Sequence, residues 1–248
     1  GVSTFPPPPA SAMWRACEPH AQGGFITPMA AVAGSVAQTL IGAYERPGIR
    51  RAWLNNGGDI ALHLASGAAV RVGVYGDLAR RFRADASALA LDGSFEVTAD
   101  MPVRGVATSG WRGRSLSLGI ADSVTVLAAT AAMADAAATV IANAVNSEHP
   151  AIVRRPAREL RDDSDLGARL ATQHVPHLPA SVVRSALHAG AAAGRTCQQN
   201  GLAWAVFMVC QGQQMALEPL SSGPSPFHGA IATPNVPSSP ASSGMFFA

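Results

Sequence analysis

The 248 residues are 48% hydrophobic and 14% charged, with a formal net charge of +2. That suffices for one substantial core or two small ones and leaves no basic footprint for nucleic acid. All 18 basic residues are Arg, which excludes a Walker-type phosphate loop, a lysine Schiff base and a protein kinase of the usual plan.

The chain starts on Gly, and residues 1–12 (GVSTFPPPPASA) read as a disordered Pro-rich leader lacking the charged and apolar regions of a signal peptide. One folded domain is expected over 13–220, and the Pro/Ser/Gly-rich stretch 221–248 reads as a disordered tail. Cys17, Cys197 and Cys210 lie far apart with no CxxC pair. They predict incidental buried thiols rather than a disulfide framework or a zinc site, and a cytoplasmic setting.

Thr27 and Pro28 open a helix of small apolar residues as N-cap and first turn, ending near Pro47; Gly34 inside it signals a close backbone approach. Strands follow at 51–54, 60–64 and 70–75, joined by tight turns at Asn55–Gly58 and Ser66–Gly67 into an antiparallel meander. Between 76 and 100 the pattern is ambiguous, with a helical piece near 78–82 and a strand at 95–98. Strands at 103–108 and 123–127 flank a Gly-rich loop, and Thr130 caps a helix over 131–144. Val124–Val145 is the longest weakly polar stretch, but Asp135 and Asn143 interrupt it, so it predicts a buried helix and no membrane span. A second long helix over 179–197 and strands at 203–209 and 215–217 complete an α+β pattern, a largely antiparallel sheet with helices packed on it.

The 131–144 helix carries Asp135, Thr139 and Asn143 at i, i+4 and i+8, so they share one side of an otherwise apolar helix. A carboxylate there needs a partner, and an Asp and a Thr hydroxyl one turn apart offer two hard oxygens of the kind Mg2+ accepts. The plainer account is that Asp135 pairs with an Arg or caps a neighbouring loop. In the loop 107–114, the hydroxyls of Thr108 and Ser109, the amides near Gly110, and Arg112 with Arg114 could cradle an anion, while Trp111 could stack on a flat ring. An ordinary hairpin with an exposed Trp explains the same residues. Gly57, Gly58 and Asp59 allow a ligand to approach the backbone, although a type I′ turn asks for the same residues. The acidic run 162–167 lacks the spacing of a calcium loop and reads as a solvated turn; His174 and His177, with Pro176 between them, read as surface residues.

Taken together, FITPMAAVAG (25–34), NNGGDIAL (55–62), ATSGWRGRSLSLGIADSVTVLA (107–128), ADAAATVIANAV (134–145), RRPARELRDDSDLG (154–167) and GLAWAVFMVCQGQ (201–213) resemble an uncharacterised bacterial and archaeal branch of the ApbE-like superfamily. That superfamily includes FAD:protein FMN transferases, which bind FAD and Mg2+ on an α+β T-fold. The resemblance implies Mg2+ at Asp135 and Thr139, and a flavin or related nucleotide at Thr108, Ser109, Gly110, Gly57, Gly58 and Asp59. It also implies a small-molecule ligand, no nucleic acid or membrane partner, and leaves a homo-oligomer open. The transferases carry a His-Ile-Ile-Asp-Pro segment where this chain reads Gly119-Ile120-Ala121-Asp122-Ser123, and the expected Lys-Gly segment is missing. The branch also has further strands before the 25–34 segment, so the resemblance implies an N-terminally truncated domain. Two readings follow: a Mg-dependent flavin-nucleotide transferase or hydrolase, or an accessory protein that binds flavin or a metabolite and has lost the transfer step.

Overall fold

The computed structural model describes residues 9–74, 93–221, 225–228 and 245–247. Short helix α1 (Pro9–Cys17) precedes a 3-10 turn at Pro28–Ala31 and helix α2 (Val32–Ile41). Hairpin β1 (Arg51–Asn56) and β2 (Asp59–Leu64) follows, then β3 (Ala69–Val74), β4 (Gly93–Thr98), β5 (Gly105–Ser109) and β6 (Ser123–Ala128). Helix α3 (Ala131–Ala144) leads to β7 (Val153–Pro156), the single turn α4 (Ala157–Leu160) and β8 (Leu170–His174). Helix α5 (Ala180–Gln199), β9 (Ala205–Cys210), β10 (Gln213–Leu217), β11 (Phe227–His228) and β12 (Met245–Phe247) close the series.

A six-stranded sheet in the order β1-β2-β5-β6-β9-β10, antiparallel at every junction, forms the middle of the molecule. Its central strands β6 and β9 are buried at every position, and β9 is apolar throughout rather than at alternate positions. Val124, Val126, Val206 and Met208 point towards α3 and α5, where they meet Ile141 and Leu187. Leu127, Ala205 and Phe207 point the other way, onto Val70, Val72, Phe95 and Val97 of a second sheet ordered β11-β4-β3-β12. The arrangement is α+β, three layers with helices on one face of the main sheet and a smaller sheet on the other.

Helix α3 has Thr130 as its N-cap, with Oγ1 accepting from Met133 N at 3.2 Å, as its sequence predicts. Its alanines bring backbones close. A Cβ on Gly34 would lie 2.3 Å from Ala131 O, so the predicted close approach is that of α2 against α3. The helix expected from Pro28 instead opens as a 3-10 turn, and Thr27 makes no side-chain cap; its Oγ1 donates to Asp165 Oδ2.

All three cysteines are buried free thiols, and no helix among the described residues is long and apolar enough to cross a membrane. Residues 9–12, read from sequence as leader, belong to α1, and within the stretch read as a tail, 227–228 and 245–247 pair with β4 and β3. The helical piece expected near 78–82 lies outside the described residues. The β7–β8 hairpin was not expected: its strands are four and five residues long and do not alternate in polarity.

Candidate functional site

The β1–β2 hairpin turns on Gly57 and Gly58, with φ of +78° and +118°, where any side chain is strained. Asn55 Oδ1 accepts from Gly58 N at 2.8 Å, and Asn56 Nδ2 donates to Ala33 O at 3.2 Å, fastening the turn to the start of α2. A Cβ on Gly57 would lie 2.0 Å from Arg114 Nη2, so the guanidinium occupies the space that glycine leaves. The turn thereby delivers Asp59, the first residue of β2, into the angle between β5 and α2.

Asp135 arrives from α3. Helix α2 has no side-chain cap of its own, and Asp135 supplies one from outside, accepting from Gly34 N at 2.9 Å and from the Ala33 amide. Asp135 thus caps a neighbouring helix, where the plainer accounts had an Arg partner or a capped loop. The positive end of α2 favours the negative carboxylate. Burial nevertheless comes first, and with the charge of Asp59 it pushes the Asp135 carboxyl well above its ordinary value against the pull of those amides.

Asp59 is the less satisfied partner. Its carboxylate accepts from the Thr108 amide and feels the charge of Arg114, yet burial outweighs both and raises it to about 7. Its Oδ1 is buried and has no hydrogen-bond partner among the described residues. Among the described residues, two carboxylates that feel each other's charge thus meet here with the Arg114 guanidinium nearby and an unpartnered acceptor oxygen on Asp59. Such a pair calls for a shared proton or a bound cation. The Cys17 thiol lies close enough to feel Asp135, and burial with that charge raises it to about 12, so it is an inert thiol at neutral pH.

The remaining expected residues divide. Thr108 supplies its amide to Asp59, but its hydroxyl is paired across the sheet with Thr125 Oγ1 at 2.9 Å. Ser109 is half-buried at the end of β5, and Thr139 is half-buried one helical turn beyond Asp135. Asn143, at the far end of the same stripe, accepts from Leu118 N at 2.9 Å. Gly110 is packed against Asp122 O, Trp111 N donates to Ala121 O at 3.0 Å, and Gly113 N donates to Gly110 O at 3.1 Å. Two of the amides expected to cradle an anion are therefore engaged within the protein. The two arginines of that loop diverge. Arg114 goes to the Asp59 turn, whereas Arg112 pairs with Asp122 at 2.7 Å and covers the Trp111 ring, 4.8 Å from its centroid. Trp111 is half-buried and also meets the edge of His174, so its ring is a packing element rather than an open stacking platform.

The hairpin carrying the acidic run reaches over this region. Arg169 lies 3.5 Å above the Phe25 ring, Asp165 accepts from Thr27, and the Arg161 guanidinium donates to Arg114 O. Gly119, where the resemblance puts a His in the transferases, lies at the other end of α3. A Cβ there would be 2.0 Å from Ala142 O, so no side chain fits without backbone movement. Among the described residues, no group of three or more His, Cys, Asp or Glu side chains forms a metal cage.

Over residues 2–216 the sequence matches the family model described as AbpE bacteria. The chain belongs to that family. Among curated proteins, a UPF0280 protein of Methanosphaerula palustris is 40% identical over 126 residues, 50% of this chain and 49% of the relative. A UPF0280 protein of Methanothermobacter thermautotrophicus is 40% identical over 139 residues, covering 56% and 50%. UPF0280 protein MK0206 of Methanopyrus kandleri is 38% identical over 158 residues, covering 63% and 57%. The chain spans about half the length of the curated relatives it matches. Among the described residues of this chain the Asp59–Asp135 pair is the chemically most exacting feature. Its two members are remote in sequence, and no spacing rule could have joined them.

Proposed function

We propose that the Asp59–Asp135 pair, with Thr139 beside it, holds a divalent cation that draws the phosphates of a flavin nucleotide such as FAD into the angle between β2, β5 and α3. The observation that carries this reading is the buried Asp59 Oδ1, unpartnered among the described residues, on a carboxylate whose charge reaches the buried Asp135. Hard oxygens without a thiol or imidazole suit Mg2+, which keeps water and phosphate oxygens in the rest of its shell. Such a cation, when bound, supplies Lewis-acid polarisation of a phosphate oxygen. The protein's own share is positional. The amides of Ala33 and Gly34 fix one carboxylate, the Thr108 amide fixes the other, and Arg114 offers a guanidinium to an anionic ligand. Family membership supports a flavin-related role, and the reaction class proposed is transfer or hydrolysis at the FAD pyrophosphate.

The test is the melting temperature with FAD and Mg2+ together, then with Asp135→Ala. A rise of several degrees in the wild type that the substitution removes is the expected result; no rise with either ligand sinks the proposal. One observation favours the second reading, a binder that does not turn flavin over: the site of Gly119 has no room for the imidazole of the transferases. Incubation with FAD distinguishes the two, since release of AMP or FMN contradicts the pure binder.

A further inference from the structure

At the opposite end of the β1–β2 hairpin from Asp59, two adjoining surface cavities share Arg50. One, of about 530 Å3, is lined by residues 45–50 with His63 and Ala65. The other, of about 400 Å3, is lined by Arg50, Arg51, residues 67–71 and Glu96. Arg46 lines the first cavity, Arg71 the second and Arg50 both, and among the described residues no side-chain hydrogen bond or ion pair engages any of the three. Arg50 reaches over the Gly67 turn, its Nη2 lying 3.9 Å from where a Cβ on Gly67 would be. Arg51 and Glu96 are already engaged, Arg51 Nη1 with Ala69 O at 3.4 Å, and the exposed Glu45 is the other carboxylate on the lining. His63 Nε2 lies 3.0 Å from Ile49 O, a contact that makes it a donor and holds the ring on the cavity wall.

We propose that this groove is a second binding site, for a small anion bearing phosphate groups. Planar guanidinium forks match phosphate oxygens in pairs, and cavities of this size suit a metabolite rather than a polymer. A polymer is further disfavoured by the net charge of +2, which gives no extended positive field along which a nucleic acid could lie. The groove is separate from the carboxylate pair, because the length of β1, about 17 Å from Arg51 to Asn56, lies between them.

Inorganic pyrophosphate is the probe, titrated calorimetrically in EDTA at low ionic strength so that no cation can recruit it to Asp135. One equivalent is expected to bind, at least tenfold more weakly to the double variant Arg50→Gln/Arg71→Gln, and equally well to Asp135→Asn, Arg114→Gln and Arg184→Gln, Arg184 being an exposed residue of α5 that lines neither cavity. An independent readout uses the unaltered protein: pyrophosphate should protect Arg46, Arg50 and Arg71 from phenylglyoxal, scored by peptide mass spectrometry, and leave Arg184 reactive. Absence of binding overturns the proposal. So do loss of binding through Arg114→Gln alone, uniform protection of all arginines, and binding of single-stranded RNA without binding of pyrophosphate.

Discussion

Asp59 and Asp135 are costly residues for a fold to bury together, and their burial has a measurable signature. Asp59 moves from an ordinary 3.8 to about 7, and Asp135 moves in the same direction. A carboxyl whose folded value is raised binds its proton more tightly in the folded state. Its contribution to stability is therefore complete below about pH 4 and is lost as pH rises through 7. Metal-free protein should lose stability across that window, and Asp59→Asn should lose less, the gap reaching on the order of a few kcal/mol at pH 8. Urea denaturation in EDTA at pH 5, 6, 7 and 8 checks it; identical slopes for both proteins would contradict the coupled pair. Sequence reading singled out both residues but assigned them to different roles, because nothing local marks two acids from separate elements as neighbours.

Helix α2 and helix α3 meet through small residues, and the contact decides where Asp135 can reach. Ala in place of Gly34 gains about 1 kcal/mol of helix propensity. It also sets a Cβ 2.3 Å from Ala131 O and 2.9 Å from Asp135 Cβ, neither of which can yield without moving the backbone. Overpacking of that kind costs about 1–3 kcal/mol or more, so the steric term wins. Gly34→Ala is expected to destabilise by about 2 kcal/mol and to weaken any effect of Mg2+ on the melting temperature, because the amide that Asp135 accepts from must shift. The element pattern itself was readable. Asn-Asn-Gly-Gly between alternating runs gave the β1–β2 hairpin, and Thr130 before an alanine-rich run gave α3 to the residue. The β7–β8 hairpin was not, since an arginine- and aspartate-rich turn separates two short strands without alternation.

On the scale of the whole molecule, β6 and β9 hold the two main cores together. Val126 and Val206 belong to the helical side, while Leu127 and Ala205 belong to the sheet side. Adjacent residues of one strand cannot leave one core without leaving the other. The helical layer and the second sheet should therefore unfold in one transition. Calorimetric and van't Hoff enthalpies should agree, and near-UV and far-UV circular dichroism should give one midpoint; two separated midpoints would show that the cores are independent. The same layering places the two proposed ligand sites at opposite ends of one hairpin, so a ligand at either can be tested without disturbing the other.

By itself the sequence determined most of the secondary-structure types and the α+β class, and it nominated Asp59 and Asp135 as candidates for chemistry. Hydrophobic period, capping residues and glycine turns are local properties, written within a few positions of where they act. Only the tertiary structure decided that the charge of Asp59 reaches Asp135, that Arg114 and Arg112 part company, that Gly119 has no room for a side chain, and that Arg46, Arg50 and Arg71 line two adjoining cavities. Those facts depend on strand order and helix packing, which bring distant residues together through contacts that no window along the chain contains.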